Sequence, residues 1–401
     1  MKTFMGYPRP DGSAGARNWV LILPVQRNMN MLASDIARLV EGTKVMLSPG
    51  EGGRTTHDRE TMARTCVGLG MNPNVGGVLI VSIKRKFGYK ELSENYFVDE
   101  IRKIGKPVRT LVLADAGGFY NALGEGVRLA RELVNEVSRV HREPCDVSAL
   151  CIGVKCGLSD PTSGIVGNPV VGRMFDLVVG GKGTAMFSET TEIIGAEHLL
   201  VKRTATPEVA RDLLEAARIT EEKAKATGED IRKINPIPSN IAAGLTTLEE
   251  KSLGAIAKAG STPIMGVLRY GERPTGKGLY FMDAWMSSLS LPLGYASAGA
   301  QIVLYQMGGG DLPDPYPTMP AATSGIISPL MYLTGNKHTF AKARDNMDFD
   351  SSRALGGDVT VNQLGEELFE HIIDVASGTR TKMESFRHND PVELYLEGPS
   401  L

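Results

Sequence analysis

Residues 154–172, VKCGLSDPTSGIVGNPVVG, follow directly on the apolar run VSALCIG and carry a lysine, a thiol, a carboxylate and three hydroxyls among four glycines. Glycines bare their backbone N–H groups, Lys155 adds positive charge, and Ser159, Thr162 and Ser163 add hydroxyls, which together are the parts of an anion cradle. Asp160 and Asn168 complete the polar set. Cys156 reads either as a nucleophile or soft metal ligand, or as a small core residue. A second cluster lies in FSETTEIIGAEHLL (187–200), with Glu189, Glu192, Glu197 and His198. Neighbouring carboxylates can share a metal or divide into an acid and a base; the competing reading is an ordinary helix start, because SETTE has the form of a capping box. In LTTLEEKSLG (245–254), Thr246 and Thr247 precede Glu249 and Glu250 as a helix start. Lys251 in that first turn can bind a carboxylate or simply be solvated. Asp345, Asp348 and Asp350 are spaced like a hard-cation loop, but without its glycine and distal glutamate.

These groups must be positioned by a scaffold, and the first third of the chain shows its type. Short apolar runs (NWVLILPV, TKVMLSP, GGVLIVSI, VRTLVLADAGG) alternate with amphipathic stretches (MNMLASDIARLVEG, HDRETMARTCVGLG, YFVDEIRKIG, NALGEGVRLARELVNEVSRV). That pattern predicts an α/β unit, a parallel sheet with helices on both faces. Ligands of such sheets bind beyond the carboxyl ends of the strands. Those ends read PVQRN, SPGEGGR, SIKRK and ADAGG, offering Arg27, Arg54, Lys84, Arg85 and Lys86 to an anion. The polar HREPCD (141–146) sets a boundary near 142, giving units 1–142 and 143–401. The second, larger unit is also α/β. It has strands at VSALCIGVKCG, GLYFMDAW and AQIVLYQMGGG, a charged helix at 207–230, and an extended entry containing Asn240. The proline-rich segment 308–325 is long enough to be functional.

A chain of 401 residues supports two cores. Its formal net charge of -2 gives no general attraction for nucleic acid or acidic membranes. It has no apolar run of membrane-spanning length and no signal core, and its four cysteines fit reduced thiols, so a cytoplasmic protein is expected. The absence of CxxC and HExxH argues against a structural zinc.

Taken in order, GYPRPDGSAGARNWVLILP, NPNVGGVLIV, VKCGLSDPTSGIVGNPVVG, ETTEIIGAEHLL, NPIPSNIAAGLTTLEEKSLGAIAKAGSTPI, GLYFMD, AGAQIVLYQMGGG and FEHIIDVASGTRTK resemble the altronate/galactarate dehydratase family. That family includes the large subunit of sulfolactate sulfo-lyase. The resemblance implies β-elimination from a small anionic hydroxy acid, a sugar acid or sulfolactate, usually with divalent iron or manganese. Such chemistry needs a base for the proton α to the carboxylate, cations for the enolate, and an acid or metal for the leaving group. Mapped here, it implies catalytic roles for Lys155, Cys156, Asp160, Glu189, Glu192 and Lys251. Arg27, Arg54, Lys84, Arg85, Ser159, Ser163, Asn168, Asn240, Thr246 and Thr247 are implied to bind substrate.

Family members often carry cysteines at the first three strand ends, in patterns like NCS, HGCGQ and GLGCE; here these places read QRNMN, GEGGR and SIKRK, and Cys156 alone remains. The metal ligands are therefore left unassigned, and no iron–sulfur cluster is expected. Sugar-acid dehydratases also carry a small N-terminal domain, whereas this sequence opens at GYPRPDG like the large subunit of a split enzyme. A homodimer is expected, with a separately encoded small subunit as a further partner. Two other readings stay open: a relative with a different, metal-independent reaction on a similar anion, and a non-catalytic binding subunit.

Overall fold

The protein is described here from a computed structural model covering residues 2–50, 52–85, 88–309, 326–385 and 393–398. Lys86 and the proline-rich segment 311–325 lie outside the described residues. Fourteen strands form three sheets among the described residues.

The first parallel sheet is built from β3 (Trp19–Pro24), β4 (Thr43–Val45), β5 (Val75–Ser82) and β6 (Val108–Val112), in the order β4-β3-β5-β6. Strand β5 (VGGVLIVS) is buried along its whole length, as a central parallel strand covered on both faces must be. Alternation along β3 feeds two layers. Val20 and Ile22 pack with the helices Asn30–Leu39 and Phe119–Val137, while Leu21 and Leu23 pack with Thr56–Met71 and Glu94–Arg102. The expected helices on both faces are present.

The remaining strands are β1 (Thr3–Pro8), β2 (Ala14–Gly15), β7 (Glu143–Asp146), β8 (Cys151–Gly157), β9 (Thr184–Phe187), β10 (Ile264–Leu268), β11 (Gly278–Met282), β12 (Ile302–Met307), β13 (Leu330–Thr334) and β14 (Phe349–Asp350). Seven of them make a parallel sheet in the order β10-β11-β9-β8-β12-β13-β14. From β8 the chain passes to β9, then to the edge strand β10 and back to β11 between them, and then lays β12 on the other side of β8. The reversal opens a crevice at the carboxyl ends of β8 and β12, where doubly wound sheets bind ligands. The register sets Lys155 beside Tyr305 and Cys156 beside Gln306.

HREPCD, read from sequence as a connector, contains a strand: β7 pairs antiparallel with β1 in a small third sheet. The two large sheets are further joined through buried amides. Asn72 Nδ2 donates to the carbonyls of Ala296 (2.6 Å) and Ala300 (2.9 Å), and Asn74 Nδ2 donates to those of Gln301 (2.8 Å) and Ile327 (3.0 Å). Among the described residues no helix is long and apolar enough to cross a membrane.

Glycine lets two segments of the second unit meet backbone to backbone. A Cβ on Gly164 would lie 2.9 Å from Gly254 Cα, and one on Gly172 would overlap the Ala257 carbonyl oxygen. Helix Asn168–Gly180 is thereby seated against the helix Leu248–Ala255 and its continuation Ile256–Ala259. Gly172→Ala should cost about 1–3 kcal/mol through overpacking. A urea midpoint lowered at unchanged slope would report it, and an unchanged midpoint would show that the two segments do not touch so closely.

Candidate active site

Lys155 and Cys156 stand at the carboxyl end of β8. The Lys155 ammonium lies 4.9 Å above the Tyr305 ring, 3.4 Å from Glu189 Oε1, and donates to the Cys156 carbonyl. The Cys156 amide donates to Glu189 Oε2 at 2.8 Å. Glu189 follows β9 with φ 77°, in the left-handed region that a glutamate adopts only under constraint. That twist ends the strand and leaves only a single 3-10 turn, Thr190–Glu192, in place of the capped helix SETTE suggests. Thr190 Oγ1 donates to Asp283 Oδ1 at 2.6 Å and so pins the turn to the end of β11.

The opposite wall is the helix Leu248–Ala255 with its 3-10 extension. Lys251 and Lys258 lie seven residues apart, on one face of this element. Lys258 Nζ sits between the two glutamates, 2.5 Å from Glu189 Oε2 and 2.7 Å from Glu192 Oε2. Lys251 Nζ donates to Asn235 Oδ1 (2.9 Å) and Asn240 Oδ1 (3.4 Å), with Glu192 Oε1 at 3.8 Å. None of these five side chains exposes more than 5% of its surface. Three ammonium groups against two carboxylates leave one positive charge in excess, which suits an anionic ligand.

Burial, reinforced by the Glu192 charge, pushes the Glu189 carboxyl above its usual range despite Lys258 and Lys155. Burial acts on Glu192 as well, but Lys258 and Lys251 outweigh it and hold that carboxyl down at about 2. Two carboxylates of one cluster are thus driven apart, the condition for separate roles. For Lys155 and Lys258, burial works against the charge; Tyr305 with the glutamates at Lys155, and the glutamates at Lys258, overcome it and hold both ammonium groups protonated. The Cys156 thiol is pushed up to about 11, by burial first and then by Glu192, and is neutral at pH 7.

A cavity of about 330 Å³ opens onto this cluster. Lys155, Cys156, Glu189, Glu192 and Lys251 line it on the charged side, and Ile237, Met286, Ser288 and Tyr305 on the other. Its size suits a small polar acid. Glu189 Oε1 is buried and accepts no hydrogen bond. The Tyr305 hydroxyl shares a hydrogen bond of 2.8 Å with Ser288 Oγ.

The other residues singled out from sequence have diverse placements. Ser159 and Asn240 line the cavity, joined by a 2.9 Å bond from Asn240 Nδ2 to the Ser159 carbonyl. Asp160 holds the loop in shape: it accepts from Thr162 Oγ1, Ser163 N, Gly309 N and Asn336 Nδ2 at 2.6–3.1 Å. Ser163 and Asn168 border a smaller cavity of about 200 Å³ that shares Ser159 and Lys251 with the first. Asn168 Nδ2 donates to the Gly254 carbonyl at 2.9 Å. Thr246 and Thr247 are exposed and cap the helix reciprocally with Glu250. Arg27, Arg54, Lys84 and Arg85 belong to the loops of the four-stranded sheet, and none lines the 330 Å³ cavity; Arg85 pairs with Asp115 at 3.0 Å. Glu197 accepts from Gly195 N, and His198 is exposed. Asp348 accepts from the amides of Tyr332 and Lys382, and Asp350 caps the turn at Ser352.

Lys258, Tyr305, Ser288 and Asn235 escape the sequence reading. Lys258 does leave a signal there: it is the one charge in GAIAKAG, seven residues beyond Lys251.

The sequence that folds this way belongs to a known class. The D-galactarate/altronate dehydratase C-terminal domain matches residues 147–396, and the D-galactarate dehydratase/altronate hydrolase second domain matches residues 6–138. The chain belongs to this family of lyases. It is 35% identical over 393 residues to the (2R)-sulfolactate sulfo-lyase subunit beta of Chromohalobacter salexigens, covering 97% of this chain and 96% of that one. It is 31% identical to the altronate dehydratase of Escherichia coli (97% and 76% covered) and 29% to that of Bacillus subtilis (98% and 77%).

The divalent metal implied by the resemblance does not fit the donor set at this site. Among the described residues no group of three or more His, Cys, Asp or Glu side chains converges to hold a metal ion. The two cavity carboxylates already share an ammonium, and the thiol beside them is protonated.

Glu192 should govern the acid limit of stability. Its carboxyl is held at about 2 against an ordinary 4.5, so its contribution is complete above 4.5 and lost as the pH falls towards 2. Glu192→Gln should destabilise at neutral pH by about 3–5 kcal/mol, because it strips Lys258 of a buried partner. The variant and the wild type should converge in melting temperature as the pH falls through that window; parallel curves would refute the ion pair.

Proposed function

We propose that the chain is a lyase that carries out β-elimination on a small hydroxy acid, a sugar acid or sulfolactate. The observation that carries this reading is Glu189. A buried carboxyl raised above its ordinary range, with one oxygen free of hydrogen bonds, faces a cavity whose ammonium groups can hold an anion. A base tuned upward in this way is effective near neutral pH.

The substrate carboxylate binds against Lys155 and Lys251, which orients the adjacent C–H towards Glu189 Oε1. Glu189 takes the α-proton, and the C–H pair becomes the enolate that the Lys155 charge stabilises. That pair then forms the C=C bond as the β-substituent leaves. A departing hydroxyl takes a proton from Tyr305 and leaves as water; Ser288 orients the phenol. In sulfolactate the C–S bond breaks and its pair leaves on sulfur as sulfite, which needs no such proton. Exchange with solvent returns the proton from Glu189 to Tyr305, and the enol product tautomerises to a keto acid.

The same reading places the enzyme in the cytoplasm, consistent with four free cysteines, and as a homodimer. It also gives it a small partner subunit. Support comes from the "subunit beta" in one relative's name and from exposed apolar residues on the segments walling the cavity: Ile165, Ile237, Ile241 and Leu253. Co-expression with a separately encoded small subunit of this family should raise turnover, and Ile241→Asp should abolish co-purification of the two. Full activity of the isolated chain with no capture of the small subunit would remove this partner.

Sugar acids and sulfolactate, screened with and without added Fe2+ or Mn2+, should give a keto acid or sulfite from at least one substrate. Glu189→Gln and Lys155→Ala should each lower kcat by about 10²-fold or more while the protein remains folded by circular dichroism. Near-wild-type rates in both would displace the chemistry from this cavity.

A further inference from the structure

A lysine between two carboxylates, all three buried, is a costly arrangement whose purpose needs explaining. Lys258 exposes 1% of its side chain, Glu189 none and Glu192 3%. The ammonium approaches one oxygen of each carboxylate, at 2.5 and 2.7 Å, behind the two glutamates, which themselves line the substrate cavity. Two glutamates closing on one point are the usual start of a divalent-cation site, in which oxygens ring the ion at 2.0–2.6 Å. Here that point is filled by a cation of the chain itself. Lys155 and Lys251 stand close by, 3.4 Å from Glu189 Oε1 and 3.8 Å from Glu192 Oε1, so a doubly charged ion would meet two further positive charges. Neighbouring donors do not favour one either: Cys156 Sγ is taken up with Ser159 Oγ (3.5 Å) and Gln306 Oε1 (3.6 Å).

We infer that Lys258 does at this site the work of a divalent cation, holding Glu189 and Glu192 in register and adding positive charge at the enolate, so that the elimination runs with no metal ion between these carboxylates. Lys258 thereby becomes a positioning residue for the base. Its reach is fixed by the glycine contacts that seat its helix, and Glu189 points to it through a left-handed backbone. The catalytic half of this inference rests on the elimination reading. Its structural half does not, and can be tested without turnover.

Mn2+ is the probe. Binding is followed through loss of the free-ion electron paramagnetic resonance signal, for the wild type, Lys258→Met, and Lys258→Met combined with Glu192→Gln. The wild type should leave equimolar Mn2+ free. Lys258→Met should take up one equivalent per chain, and the double variant should bind at least about tenfold more weakly. Uptake of one equivalent by the wild type, abolished by Glu192→Gln, would overturn the inference, as would a folded Lys258→Met that takes up none. If Lys258→Met does not fold, the wild type and Glu192→Gln still decide between these outcomes. Once a substrate is found, turnover should survive dialysis against a chelator; loss of turnover restored by Mn2+ would overturn the catalytic half. Failure to find any eliminated hydroxy acid would count against the elimination reading alone and leave the Mn2+ result standing.

Discussion

Five ionised side chains withdrawn from water where β8, β9 and the helix Leu248–Ala255 with its extension meet are the constraint on which the rest of the second unit depends. Each such group costs several kcal/mol to desolvate, a cost that is offset only when partners are fixed in good geometry. The fixing is visible on every side. Asn235 and Asn240 hold Lys251, the Cys156 amide holds Glu189, and Lys258 ties both glutamates. A flexible wall would let water in and weaken every one of these attractions. The close backbone contacts of Gly164 with Gly254 and Gly172 with Ala257 therefore serve the electrostatics as much as the packing.

The same constraint accounts for the irregular backbone around the crevice. Glu189 at φ 77° and Leu158 at φ 47° mark the ends of the two strands that supply the cluster, and a π-type turn at Ser163–Gly167 leads into the helix Asn168–Gly180. Such departures concentrate where a side chain must be aimed against the local preference. Asp160 shows the supporting role: its four accepted hydrogen bonds order the loop that covers the cluster.

Much of the scaffold was legible because it rests on local pattern. The continuous apolar runs of β3, β5, β8 and β12, and the amphipathic periods between them, define a parallel α/β architecture without tertiary information. β1 and β7 were hidden: EPCD has no strand signature, and its pairing with TFMGYP is a contact across the whole first unit. Within the cavity, Lys155, Glu189, Glu192 and Lys251 were readable because polar residues sat together beside apolar runs. Lys258 was isolated among alanines, and Tyr305 looked like an ordinary core aromatic of β12. Tyr305 is selected by the register of β12 on β8, which a linear reading does not supply; the seven-residue step from Lys251 to Lys258 is in the sequence, but only the fold shows that it leads to the glutamates. Of the two readings of SETTE, the structure departs from the capped helix: Glu189 stands in the left-handed region and is bonded by Lys258 and the Cys156 amide. Arg27, Arg54, Lys84 and Arg85 are real features of the strand ends of the four-stranded sheet, yet none of them lines the cavity.

The pairing of β1 with β7 has a mechanical meaning. The chain departs from this strand pair near residue 8 and returns to it at residue 143, so the first unit is an excursion clamped at its stem. Asn72 and Asn74, next to this stem, bond the carbonyls around the Ala296–Gln301 segment, and Leu293 and Ala296 of the second unit are buried in the core beneath the four-stranded sheet. A swing of the first unit about its stem would expose Leu293 and Ala296 to water, at a cost that grows with the apolar area uncovered. Small molecules that enter through the cavity's own walls avoid that cost, because the lining comes from the second unit alone.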